Sequence, residues 1–254
     1  QNTFIGSEAG ANATTTSGST AIGYKAMSGY ATTGIDNTVV GKQAAPYITS
    51  GEKNTILGGN SAGGLLEGRA NVSIGHYSMG AISRKTSDSV AVGNNALAYS
   101  GAQCVAIGGS ALHGDSTYGG AAASTAHTGS VAVGYKAGMN TTGSYNTFVG
   151  FEAGKGANSN TTSGQYNVSL GAYSFDSFTS ATDNTIIGRS AGHVITTGNY
   201  NVCLGTMAGD TLTTGANNTY LGYHADASAN SVNDEIVLKA GSDTLVGGGT
   251  ETIR

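Results

Sequence analysis

One short pattern recurs along the whole chain and sets most of what it can fold into. Five residues ending in glycine appear thirteen times, closing at Gly6, Gly23, Gly41, Gly58, Gly75, Gly93, Gly108, Gly134, Gly150, Gly171, Gly188, Gly205 and Gly222. Most intervals are 17 or 18 residues; the departures are 15 before Gly108, 26 before Gly134, 16 before Gly150 and 21 before Gly171. A period near 17 is too short for a helical pair and matches one turn of a β-roll or β-helix, where each repeat stacks only on its neighbours. The expected fold is all-β: a parallel β-solenoid of about 13 coils of about 17 residues each.

Each position of the repeat carries its own demand. The residue before the glycine is always Ile, Val or Leu: Ile5, Ile22, Val40, Leu57, Ile74, Val92, Ile107, Val133, Val149, Leu170, Ile187, Leu204 and Leu221. Two residues earlier stands Thr or Val, and positions two apart share one face of a strand. So uniform a face is expected to line the interior as the structural core. The position between them is large after Thr (Phe4, Val39, Ile56, Phe148, Ile186, Tyr220) and small after Val (Ser73, Ala91, Ala106, Ala132, Ser169, Cys203), with Thr20-Ala21 departing from the rule. A strand apolar on both faces is buried on both. One coil covers only its inner face, so Phe4, Val39, Ile56, Phe148, Ile186 and Tyr220 are expected to pack between chains of an oligomer.

Four residues before the glycine stands Asn2, Asn37, Asn54, Asn71, Asn146, Asn167, Asn184, Asn201 or Asn218, with Ser19, Ser89, Ser130 and Cys104 in the remaining coils. Asn repeated at one turn position predicts a hydrogen-bonded ladder from coil to coil, about 4.8 Å per rung. Three residues after the glycine only Ala or Ser occurs, which predicts a tight corner. A second turn, Thr-Thr/Ser-Gly, closes at Gly34, Gly51, Gly143, Gly164, Gly198 and Gly215.

The repeat domain is expected over 1–228, with a surface insertion at about 111–129 and a C-terminal exit or capping segment over 229–254. Insertions in a solenoid emerge as loops, often on the binding side. His113, Asp115, Tyr118 and His127 in the insertion are therefore the candidate receptor contacts.

Composition narrows the function classes. Only 10% of residues are charged, and 11 Lys+Arg at a net charge of −4 leave no clustered basic face for nucleic acid. No apolar run approaches the roughly 20 residues needed to span a bilayer, so no membrane insertion is expected. Cys104 and Cys203 form no CxxC pair and read as small buried residues. The carboxylates are scattered, with no acid–base pair, nucleophile elbow or phosphate loop, so no enzyme activity, metal or cofactor is expected.

Asn-Thr-Phe-Ile-Gly (2–6), Ser-Val-Ala-Val-Gly (89–93) and Cys-Val-Ala-Ile-Gly (104–108), each followed by x-x-Ala, resemble the head repeats of trimeric autotransporter adhesins. The longer form Asn-Thr-Phe-Val-Gly-Phe-Glu-Ala-Gly (146–154), with Thr-Thr-Gly upstream, is similar to repeats in phage tail fibres. The resemblance implies a left-handed parallel roll in a homotrimer. It also implies a structural or receptor-binding role in a surface fibre of a virion that attaches to a host-cell glycan or protein receptor. Asp234 to Leu238 looks like the segment that precedes a self-cleaving chaperone in such fibres. Two alternatives stand beside this: a bacterial trimeric adhesin head at the extracellular surface, and an ice- or crystal-binding solenoid. The second is suggested by the columns Thr32, Thr49, Thr141, Thr162, Thr196 and Thr213.

Overall fold

The computed structural model describes residues 1–29, 31–80, 85–98, 101–114, 128–157, 162–240 and 243–248. The chain forms two compact units, residues 1–130 and 131–254. Each is a parallel β-solenoid without a helix among the described residues, and their coils together number about 12, of roughly 17 residues each.

In the first unit the repeats supply β1 (Thr3–Ile5), β2 (Thr20–Ile22), β3 (Thr38–Val40), β4 (Thr55–Leu57), β5 (Val72–Ile74), β6 (Val90–Val92) and β7 (Val105–Ile107). Each is parallel to the next, with equivalent repeat positions opposite one another: Phe4 faces Ala21, and Val39 faces Ile56. The second unit repeats this in β8 (Val131–Val133), β9 (Thr147–Val149), β10 (Val168–Leu170), β11 (Thr185–Ile187), β12 (Val202–Leu204) and β13 (Thr219–Leu221).

The strands are three residues long because the chain must turn immediately. Gly150, with φ +138°, takes a conformation L side chains rarely adopt, and a Cβ there would lie 2.6 Å from the Gly171 carbonyl oxygen of the next coil. The glycine thus serves both the turn and the close approach of stacked backbones. Beyond it the corner runs through left-handed residues such as Glu152 (φ 53°) and Phe175 (φ 53°). Between them the buried Ala or Ser closes a tight turn by donating its N–H to the glycine carbonyl, as Ala191 does to Gly188 at 3.2 Å.

The two faces of the strand are the reverse of the sequence expectation. Val39, Ile56, Phe148, Ile186 and Tyr220 point inward and have no exposed surface in the single chain; they form its interior and are not contacts between chains. Phe4, on the first strand, is half-buried. The set expected as the core, Ile5, Ile22, Val40, Leu57, Ile74, Val92, Ile107, Val133, Val149, Leu170, Ile187, Leu204 and Leu221, lies on the outer face, and none of it is buried.

The physical reason lies across the coil. The interior is narrow, and ten of the thirteen coils fill it with one large and one small side chain, from the middle of the strand and from four residues after the glycine; Ala132 with Gly138, Cys203 with Gly209 and Tyr220 with Asp226 depart from this. Ala21 is matched by Met27, Ser73 by Met79, Ala91 by Leu97, Ala106 by Leu112 and Ser169 by Phe175, all fully buried. In the opposite sense, Val39 is matched by Ala45, Ile56 by Ala62, Phe4 by Gly10, Phe148 by Gly154 and Ile186 by Gly192. A Cβ on Gly10 would come within 2.7 Å of the Phe4 ring. Close packing tolerates neither a void nor an overlap. The inner positions therefore vary in compensating pairs, while the outer column, which stacks like on like, stays uniform.

The Asn residues form a buried column at the turn entering the strand. Asn184 Nδ2 donates to Asn167 Oδ1 at 3.0 Å and to the Gly198 carbonyl at 2.9 Å; Asn184 Oδ1 accepts the Asn201 N–H at 2.9 Å and its Nδ2 at 3.1 Å. The same bonds join Asn37, Asn54 and Asn71, and Asn146, Asn167, Asn184, Asn201 and Asn218. Asn2, at the first strand, is exposed and accepts the Ser19 N–H through Oδ1 at 3.0 Å. Where Ser stands in place of Asn the hydroxyl continues the relay: Ser89 Oγ accepts the Cys104 N–H at 3.2 Å.

The solenoid extends into the stretch expected as the exit segment. β14 (Glu235–Ala240) pairs in parallel with β13 in the repeat register, Tyr220 opposite Val237, and Val237 is buried. Glu235 stands at the ladder position and donates its N–H to Asn218 Oδ1 at 2.9 Å. β15 (Asp243–Gly248) then pairs antiparallel with β14, Glu235 opposite Gly248.

Candidate functional site

Each unit carries an outward apolar stripe one sheet wide. In the second unit Val133, Val149, Leu170, Ile187, Leu204 and Leu221 lie opposite one another on successive strands; Leu170 is 39% exposed and Leu221 46%. Beside them runs the row Val131, Thr147, Val168, Thr185, Val202 and Thr219. In the first unit the equivalent stripe runs from Ile5 to Ile107, with Ile5 56% exposed. A contiguous exposed apolar surface of this kind marks an interaction face on a soluble protein.

Exposed aromatic side chains stand at the positions just before and just after the strand. Tyr145 and Tyr166 stack coil upon coil, with centroids 5.4 Å apart and rings within 3° of parallel. Following the strand, Tyr135 stacks on Phe151 at 5.3 Å, and Phe151 meets Tyr173 edge-on at 5.2 Å. These contacts couple neighbouring coils, and they leave much of each ring exposed to water.

The Thr columns of the second turn lie differently from what an ice-binding face requires. Thr32, Thr141 and Thr162 are buried, and their hydroxyls donate to the carbonyls of Gly29, Gly138 and Phe178 at 3.2, 2.7 and 3.4 Å. Thr49, Thr196 and Thr213 donate to Leu66, Thr213 and Asn230 carbonyls at 3.0, 3.1 and 2.8 Å. The bonds of Thr49, Thr162, Thr196 and Thr213 hold one coil to the next, while those of Thr32 to Gly29 and Thr141 to Gly138 close a turn within their own coil.

Of the candidate receptor contacts, His113 is half-buried beside the corner residue Leu112, its N–H donating to the Ser110 carbonyl at 3.3 Å. Asp115, Tyr118 and His127 lie outside the described residues.

A cluster that sequence reasoning passed over gathers at one corner of the second unit. Asp210, five residues after Gly205, meets His224 and Asp226, two and four residues after Gly222 in the next coil. His224 Nδ1 lies 3.8 Å from Asp210 Oδ2 and 3.6 Å from Asp226 Oδ2, and all three groups are partly buried. Burial, with the hydrogen bond and charge of Asp226, pushes the Asp210 carboxyl up to about 6, against the opposing pull of His224 and His193. Numbering each residue from its own glycine would have brought the three together; reading the histidines one by one did not.

No protein-family model, curated protein or solved structure matches the chain.

Proposed function

We propose that the chain is a structural, receptor-binding segment of a homotrimeric surface fibre, of the kind that forms a virion's tail fibre, and that it acts in attachment to a host cell. The observation that carries this reading is the outward stripe from Ile5 to Ile107 and from Val133 to Leu221. Water-exposed aliphatic side chains in line on a sheet gain about 25 cal/mol for each Å² removed from water, and two further copies of the chain offer the same stripe in return. The repeat resemblance to phage fibres and adhesin heads points the same way, and a bacterial surface adhesin would use the stripe identically.

Light scattering coupled to size exclusion tests the proposal. A mass three times 25.1 kDa supports it, and a stable monomer at micromolar concentration refutes it. Binding of the trimer to arrayed host-surface glycans then tests the receptor role.

One observation favours a second reading. Thr3, Thr38 and Thr55 are exposed on the outer face, in rank with Ile5 and Leu57. Regular ranks of Thr beside aliphatic residues on successive parallel strands suit a repeating ice surface. Thermal hysteresis in the monomer would favour this reading, and its absence would dismiss it.

A further inference from the structure

We infer that Asp210, His224 and Asp226 form a binding site for a divalent transition-metal cation of the Zn²⁺ or Co²⁺ class. The inference is independent of the fibre reading, because all three donors belong to one chain.

The distances carry the argument. Nitrogen–oxygen hydrogen bonds fall at about 2.7–3.2 Å. His224 Nδ1 stands 3.8 and 3.6 Å from the two carboxylate oxygens, too far for a shared proton. Ligands each about 2.1 Å from one tetrahedral ion sit roughly 3.4 Å from each other, so the observed spacing is close to that of donors around a common cation. The three ligand atoms all lie within 4.8 Å of one another.

The donors are also held. The Asp210 N–H donates to Asp226 Oδ1 at 3.1 Å, which orients that carboxylate and leaves Oδ2 on the His224 side. The His224 ring is braced edge-on by Tyr223 with centroids 4.5 Å apart, and its carbonyl accepts from Lys239 Nζ at 2.8 Å. One imidazole nitrogen and two carboxylate oxygens suit zinc or cobalt; calcium and magnesium favour all-oxygen sets. A second observation stands one coil earlier at the position equivalent to Asp210: Nδ1 of the half-buried His193 is sealed from solvent and has no hydrogen-bond partner among the described residues. Its charge bears on Asp210; the three ligand atoms of the site are those of Asp210, His224 and Asp226.

The test titrates the full chain with Co²⁺ and follows visible absorption, with Zn²⁺ competition by calorimetry. The expected result is one equivalent per chain, displaced by Zn²⁺ but not by a hundredfold excess of Mg²⁺. His224→Ala and Asp226→Asn are each expected to weaken binding at least tenfold, while His76→Ala, on the other unit, leaves it unchanged. Other coils place Lys25, Gln43 or Asn60 at the His224 position, so His224→Ala is expected to keep the fold, which circular dichroism checks. No saturable binding at millimolar metal, or equal binding by the wild type and His224→Ala, would overturn the site and leave an ordinary histidine–carboxylate pair.

Discussion

Phe148 and Gly154 occupy one volume between them: a carbon added to Gly154 would overlap the Phe148 ring. In the coil of Ala106 and Leu112 the same two positions are filled the other way round, and Leu112 holds a left-handed backbone (φ 46°) like that of Gly154 (φ +57°). Gly154→Leu alone is expected to destabilise the protein by about 3 kcal/mol through overpacking, and Phe148→Ala alone by about 3–5 kcal/mol through a cavity. The double variant is expected to recover at least about 1 kcal/mol of the sum, the sign of a shared space. Urea unfolding of the four proteins closes the cycle; strict additivity would show that the two positions do not share the interior.

Ile186 and Ile187 are neighbours in sequence with opposite fates. Ile186 has no exposed surface, while Ile187 is 38% exposed. Ile186→Ala is expected to cost about 2–5 kcal/mol in any oligomeric state. Ile187→Asp is expected to change the stability of a single chain by no more than about 0.5 kcal/mol and yet to prevent assembly. Thermal melts paired with solution mass separate the two effects.

Removing one rung of the Asn column strands several buried partners at once. Asn184→Ala leaves the Gly198 carbonyl and the Asn201 N–H without the bonds that the Asn184 side chain makes to them, while Asn167 Oδ1 keeps only the backbone N–H of residue 184. At about 1–3 kcal/mol for each buried group left unsatisfied, a loss of at least about 2 kcal/mol is expected. Asn184→Ser should lose less, since Ser89 relays the column in its own coil. Denaturant midpoints would rank the three proteins, and equal values for Ala and Ser would remove the ladder's role.

Both cysteines are buried thiols outside any disulfide; burial pushes Cys104 up to about 11 and Cys203 up to about 12. The thiolate is the reactive form. Neither is expected to react with a thiol reagent at pH 8 in the folded protein, while both react on unfolding. Because the folded values lie above the ordinary value of roughly 8.5, their stabilising contribution is complete below that pH and is lost as pH rises towards about 11 and 12. A melting temperature falling over that range, and falling less in Cys203→Ala, checks the sign.

The repeat made the coil, its length and its parallel stacking legible before any coordinates, because a fixed period with invariant glycine admits few backbones. The facing of the strand was misjudged for a physical reason. Uniformity at Ile5, Ile22 and Val40 looked like burial, whereas the interior announces itself by compensation, as in Ala21 with Met27 and Val39 with Ala45. That signal links two positions six residues apart and is invisible when each is considered alone. Asp210, His224 and Asp226 were missed likewise, since only the stacking of consecutive coils brings them together. The departure of Asp234 to Leu238 from the glycine pattern hid a coil whose backbone keeps the register while Lys239 stands where the glycine would be.

The Asn column has a direction. Wherever Asn follows Asn in the column, the side-chain amide hands one proton to the oxygen of the coil before it, and the additional bond to a turn carbonyl, as from Asn201 to Gly215, prevents that amide from turning over. Aligned amide dipoles strengthen one another along such a chain. A coil that docks upside down would meet oxygen with oxygen, so the column polices orientation. It is blind to identity, because one Asn is like the next. Identity resides in the interior, where a coil built on Phe148 and a coil built on Ser169 have differently shaped cores. Polarity from one column and address from the other together let nearly interchangeable repeats assemble in a single order.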